Sequence, residues 1–288
     1  MPSLRDIRRR IASVKNTQQI TNAMKMVSAA KLQRAQDRVT SARPYSERLQ
    51  QLITYLDQRV APTAHPLLTP REDGKTLLVV LTSDRGLCGG FNANVQRAAA
   101  EFVRQHGGDA EVDVIAIGKK GRDFLNYRRI TMRTSYIDLF VRQVAYQQAR
   151  DLATQLLEAY EQEGYREVLV IYNRFRSALQ QQVTTVRLLP MSAHTSAEAE
   201  PTEAFDYLYE PSPEAVLDSL LRREVEVQLF QMFLESYAGE HGARMTAMDS
   251  ATTNASEMIG SLTLTYNRAR QAAITRELIE VISGADAL

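Results

Sequence analysis

Glycine is absent from the first 73 residues of this 288-residue chain. From Ser3 to Arg59 the stretch is dense in Ala, Arg, Gln, Lys, Leu and Met, residues that lose little on entering a helix. The run predicts one long helix. Ser3 is a plausible N-cap with Asp6 three residues on, and Pro44 is the one internal residue that should kink it. At the far end, Ser212 precedes Pro213 and Glu214: a cap, a proline at the first helical position and an acid in the first turn. A second long helix is expected from there to about Ser283, with Gly284 as its stop. Gly239 and Gly242 read as its weak points, each costing about 1 kcal/mol relative to alanine.

In both helices apolar and small residues recur in steps of three and four. Leu4, Ile7, Ile11 and Val14 open a heptad seam that continues through Gln18, Thr21, Lys25 and Ser28 to Leu32, Ala35 and Val39. In the second helix Met248, Ala251, Ala255, Met258 and Leu262 form one seam, and Ile274, Leu278 and Val281 another. Such helices would be roughly 85 Å and roughly 105 Å long. The intervening stretch of about 140 residues would make a compact body with a radius of gyration near 14 Å, so the helices should project beyond it. Charge points to how they pair. Residues 1–48 carry 11 basic and 3 acidic side chains, whereas residues 214–288 carry 6 and 11. An antiparallel two-helix coiled coil is the expected arrangement.

The middle has a different rhythm. Residues 76–83, 112–117 and 167–172 are short β-branched apolar runs separated by helix-patterned stretches at 91–105 and 140–162, with a further strand at 180–189. Alternation of this kind implies a Rossmann-like α/β domain with a mainly parallel sheet. The domain organisation read from sequence is a helix over 1–59, an α/β domain over 74–210 and a helix over 212–288. The segment 191–204, rich in Ala, Ser, Thr and Glu without a period, is expected to be an exposed, mobile loop.

Few motifs carry chemistry. Gly74-Lys75-Thr76 mimics the tail of a P-loop, but Thr69 stands where the first glycine is required and the tripeptide precedes a strand instead of opening a helix. The turn SDRGLCGGFN (83–92) could free backbone N–H groups for an anion at a helix start. Its glycine spacing is not G-x-G-x-x-G, and a tight strand-to-helix crossover explains it better. Cys88 has no partner for a disulfide, and four scattered histidines make no zinc spacing. No catalytic constellation and no cofactor site is legible. The basic N-terminal arm lacks aromatic residues over 1–44, which disfavours nucleic-acid reading, and is too rich in Ala, Ser, Thr and Gln for a membrane-surface helix. Acidic protein surface remains its best partner. There is no apolar run of transmembrane length, and MPSLRDIRRRI lacks the apolar region of a secretory signal, so a cytoplasmic location is expected.

Three blocks carry a resemblance. IASVKNTQQITNAMKMVSAAKLQRAQ (11–36), SDRGLCGGFN (83–92) and ARMTAMDSATTNASEMIGSLTLTYNRARQAAITRELIEVISGA (243–285) closely resemble the gamma subunits of bacterial F-type ATP synthases. The resemblance implies a non-catalytic rotor whose terminal helices turn inside a ring of three alpha and three beta subunits, coupling proton flow to ATP synthesis. Its central domain would sit on the epsilon subunit and the c-subunit ring, at the cytoplasmic face of the inner membrane and peripheral to it. It also implies roles by position: Met24, Lys25, Arg244, Arg270, Gln271 and Thr275 toward beta subunits; Ile274, Leu278, Ile279, Val281 and Ile282 as an apolar bearing tip; Tyr207, Tyr209 and Glu210 toward the c ring. The regulatory cysteine pair of the chloroplast branch has no counterpart, since Cys88 is alone. The competing reading, from the residues only, is a stand-alone coiled-coil protein whose α/β head binds a nucleotide or other anion through the 83–90 turn.

Overall fold

The computed structural model describes residues 3–57, 65–140, 143–191, 210 and 212–285. Its elements follow the order α1 (Leu4–Asp57), β1 (Thr76–Leu81), α2 (Phe91–Gln105), β2 (Val112–Ile117), α3 (Lys119–Tyr127), β3 (Met132–Tyr136), α4 (Tyr146–Glu163), β4 (Glu167–Phe175), β5 (Gln181–Leu189) and α5 (Pro213–Ala285). They form two compact units, one of Met1–Ala29 with Arg244–Leu288 and one of Ala30–Ala243, with α1 and α5 contributing to both.

The first unit is a helix pair. Ser3 caps α1 reciprocally: its N–H and Oγ donate to the Asp6 carboxylate at 3.2 and 2.6 Å, and the Asp6 N–H returns to Ser3 Oγ at 3.2 Å. The Ser3 hydroxyl bond holds the Asp6 carboxyl below its usual range. Every expected seam position from Leu4 to Ser28 is buried or half-buried, and most positions between them are exposed. On α5 the less exposed positions from Met248 onward are Met248, Ala251, Thr252, Ala255, Ile259, Leu262, Tyr266, Ala269 and Ala273, which apart from Ala251 alternate in steps of four and three. The seam read from sequence keeps Met248, Ala251, Ala255 and Leu262 and is corrected at one position. Met258 is 53% exposed, because the four-residue step from Ala255 lands on Ile259.

Four polar rungs fix the antiparallel register. Arg8 donates to the Tyr266 hydroxyl at 2.7 Å, Gln18 to Ser256 Oγ at 2.6 Å, and Lys25 pairs with Asp249 at 2.6 Å, while the Thr21 and Thr252 hydroxyls share a bond at 2.7 Å. From Arg8 to Lys25 is 17 residues, and from Tyr266 back to Asp249 is also 17. The two helices therefore keep step without a stutter. Continuing four residues past each end sets Leu4 across from Arg270, where α1 begins.

The second unit is built on a five-stranded sheet in the order β3-β2-β1-β4-β5, parallel except for the β4–β5 hairpin. β1 is central and buried along its whole length, as a continuous apolar run requires. One face presents Leu78, Val80, Val114, Ala116 and Ile171 to Val95, Ala99 and Val103 of α2 and Leu125 of α3. Strand alternation turns Leu77, Val79 and Leu81 to the opposite face. α4 buries Ala149, Leu152, Ala153, Leu156 and Tyr160.

Two elements escaped the sequence reading. β3 is an edge strand, paired only with β2, and its residues MRTSY are half-buried or exposed, so no apolar run betrays it. α3 is short and contains Gly121. It starts at Gly118, whose φ of +93° and close approach to the Thr82 carbonyl leave no room for a Cβ. α1 continues through Pro44 to Asp57, and α5 passes Gly284 to end at Ala285. Of the loop expected at 191–204 only Met191 is among the described residues. It is buried, and its N–H donates to the Leu67 carbonyl at 2.8 Å.

Candidate functional site

The 83–92 turn sits at the C-terminal end of β1, beside the point where the sheet's strand order reverses between β1 and β4. In open α/β sheets this is where ligands enter. Here the turn's polar groups brace the turn itself. The Ser83 N–H donates to Asn92 Oδ1 at 2.9 Å, and Asn92 Nδ2 donates to Ser83 Oγ at 2.8 Å and to Cys88 Sγ at 3.2 Å. Asp84 accepts the Lys119 N–H at 2.8 Å, fixing the start of α3 to the turn. Cys88 is buried beside Phe91 and Ala243.

The crevice is filled by the protein's own α5. A Cβ on Gly239 would lie 3.2 Å from the Phe91 ring and 3.4 Å from Gln181 Cγ, and one on Gly242 would lie 3.1 Å from Ala178 Cα. These glycines are points of close approach to the β4–β5 hairpin and α2, so their helix-weakening cost is tied to packing. Asn173, buried at the end of β4, donates to the Phe91 carbonyl at 2.9 Å on the same floor. Nearby, Glu235 of α5 accepts from the Tyr172 hydroxyl at 3.1 Å; burial raises the Glu235 carboxyl above its usual range and pushes the tyrosine up to about 12. The packing stops short of the turn's tip, where Arg85, Leu87, Gly89 and Gly90 are exposed.

The residues singled out by resemblance fall into separate groups. Met24 and Lys25 lie half-buried on α1, with Lys25 paired to Asp249, and Arg244 is buried on α5. Arg270, Gln271 and Thr275 are exposed, and the Thr275 hydroxyl donates to the Gln271 carbonyl at 2.9 Å. From Arg244 to Arg270 is roughly 39 Å along a straight helix, so one compact site cannot hold them all. Ile274, Leu278, Ile279, Val281 and Ile282 are between 45% and 70% exposed. They lie beyond the point where α1 begins, so the seam read at Ile274, Leu278 and Val281 has no facing α1 residues. Glu210 is exposed, whereas Tyr207 and Tyr209 lie outside the described residues.

What sequence reasoning missed is the set of polar rungs, Arg8, Asp249, Thr252, Ser256 and Tyr266. Their signal is a constant register between polar residues of two distant segments, which becomes legible only when the two helices are aligned against each other.

Comparison with known proteins decides the family. A family model described as ATP synthase matches residues 3–288. The ATP synthase gamma chain of Geotalea uraniireducens (strain Rf4) is 50% identical over 289 residues, spanning 100% of this chain and 99% of that protein. It belongs to the ATP synthase gamma-chain family. The gamma chain of Geobacter sp. (strain M21) is 51% identical with the same coverage. The fold of this gamma chain is shared with a chain in the rotor of the Euglena gracilis mitochondrial ATP synthase, at a TM-score of 0.65 and 22% identity, covering 94% of this chain and 98% of that one.

Proposed function

We propose that this gamma chain is the non-catalytic central-stalk rotor of a bacterial F1Fo ATP synthase, carrying rotation from the c-subunit ring to a ring of alpha and beta subunits. A single asymmetric shaft offers each of three identical catalytic sites a different face, so turning it changes which conformation each site prefers. The observation that carries this reading is the apolar end of α5. Five large aliphatic side chains stand exposed past the start of α1, and Ile20, Met26, Val27 and Leu264 are exposed along the same helix pair. Exposed apolar surface of that extent marks a contact with a partner, and a surrounding sleeve fits an elongated pair better than a flat docking face.

Met24, Lys25, Arg244, Arg270, Gln271 and Thr275 are proposed to meet beta subunits, with the five aliphatic residues of the tip in an upper bearing. Glu210, Tyr207 and Tyr209 are proposed to face the c ring, and the epsilon subunit to bind the α/β unit. Among the described residues no helix is long and apolar enough to cross a membrane, and the reading places the chain peripherally on the cytoplasmic face, held through the c ring. The test is removal of residues 279–288 in the assembled complex. Torque transmission or assembly is expected to weaken while the thermal transition of the α/β unit stays within a degree or two. An unimpaired complex, or an α/β unit that melts far lower, would overturn the proposal.

A further inference from the structure

Within the second unit, α1, α5 and the segment entering α4 enclose a cavity of about 320 Å³. That is room for roughly ten water-sized groups at about 30 Å³ each, at the lower end of the range for ligand pockets. Its floor is apolar: Ala35, Val144, Leu234 and Tyr237 line it and are all buried. Its rim is cationic. Lys31, Arg34 and Arg38 line the opening along one stretch of α1, with a single carboxylate, Asp37, among them.

That carboxylate is engaged elsewhere, accepting from Gln33 Nε2 at 3.0 Å. Among the described residues no ion pair involves Lys31 or Arg34. Arg38 is held in place by donating to the Val144 carbonyl at 2.8 Å and to Gln143 Oε1 at 2.6 Å. α4 begins two residues after Val144, so the positive end of an 18-residue helix adjoins the opening. Three cations with one carboxylate among them, above a mainly apolar floor, favour a ligand with an anionic head and an apolar body.

We propose that this cavity binds an amphiphilic anion, a carboxylate or phosphate head on an apolar tail of about ten heavy atoms. The head pairs with Lys31, Arg34 and the oriented Arg38, and the tail lies on Ala35, Val144, Leu234 and Tyr237.

The test is calorimetric titration of the full-length chain with decyl phosphate and decanoate, each below its micellar concentration. One saturable site is expected for both. The double variant Lys31→Glu/Arg34→Glu changes two side chains on the rim and should weaken binding at least tenfold with the helical circular dichroism unchanged. Arg38→Gln should weaken it as well, giving a second reading should the double variant lose structure. Decanol and inorganic phosphate, each supplying half of the ligand, are expected to bind at least tenfold more weakly than decyl phosphate. Absence of saturable binding overturns the proposal. So does equal binding of decanol, which would mean an apolar surface only, or of inorganic phosphate, which would mean a simple anion site. Affinity unchanged by the rim variants would overturn it too.

Discussion

Replacing Gly242 and Gly260 by alanine, one at a time, should move stability in opposite directions although both lie inside α5. Helix propensity alone favours alanine over glycine by about 0.8–1 kcal/mol at either position. At Gly260 nothing lies within 4 Å of the added Cβ, so the full gain of about 1 kcal/mol should appear. At Gly242 the new methyl meets Ala178 Cα at 3.1 Å and both the Ala178 carbonyl and the Phe175 ring at 3.4 Å. Backbone of the β4–β5 turn cannot swing aside as a flexible side chain can, and overpacking of this kind costs about 1–3 kcal/mol. The net expectation for Gly242→Ala is a loss of about 0–2 kcal/mol, the difference of the two effects. The chain has no tryptophan, and 11 of its 12 tyrosines lie within Ala30–Ala243, so tyrosine emission during urea unfolding reports that unit. Gly242→Ala should lower its midpoint. Gly260→Ala should leave that midpoint alone and slow amide exchange around residue 260 by about fivefold, the factor that 1 kcal/mol corresponds to. A raised midpoint for Gly242→Ala would refute the claim that this glycine is a packing requirement.

Burial and charge give further expectations. Leu78→Ala removes a fully buried side chain from the centre of the sheet and should cost about 2–5 kcal/mol, read from the same urea midpoint. Lys25 and Asp249 are 40% and 57% exposed, so a double-mutant cycle should give a coupling below about 1 kcal/mol that shrinks with added salt. Because the folded-state pKa of Glu235 is raised, chiefly by burial, its favourable contribution is present below the ordinary glutamate value of about 4.3 and is lost as pH rises through the folded value. Glu235→Gln should therefore flatten the fall in stability above that pH, measured by thermal unfolding between pH 4 and pH 7. Met24→Lys in the assembled complex should impair coupling between hydrolysis and proton pumping, while the complex still assembles; unchanged coupling would mean Met24 does not meet a beta subunit.

The helices were legible because the signal in each was long and redundant. Ser3 with Asp6, and Ser212 with Pro213 and Glu214, mark the two starts, and the glycine-free run sets the extent of the first helix. β1 and β2 were legible for the opposite reason: both are short but largely buried, and burial demands a mainly apolar run, interrupted in β2 only by the half-buried Asp113. β3 fails that condition, since an edge strand can be polar on both faces and still hydrogen-bond to one neighbour. Gly239 and Gly242 show the limit most clearly. Propensity counted them as a cost local to the helix, but what they do depends on Phe91, Ala178 and Gln181, residues far away in sequence.

The exposed tip reflects the same limit. Steps of three and four identify Ile274, Leu278 and Val281 as a seam, yet a seam is a property of two surfaces and periodicity describes one. The rungs from Arg8–Tyr266 to Lys25–Asp249 fix where α1 lies against α5, and that register brings Leu4, the first residue of α1, to Arg270. Past that residue α5 has no facing turn of α1, so its aliphatic side chains remain in water at a cost of roughly 1 kcal/mol each when half of the side chain is exposed. Helix pairing inside the chain cannot recover that free energy. A partner that closes around α5 can, and the five residues then contribute on the order of 5 kcal/mol to its grip before ordering costs are met. An apolar contact of this kind has no direction and no fixed hydrogen-bond geometry, which is what the proposed bearing would require: it would hold the shaft on its axis without favouring one rotational angle over another.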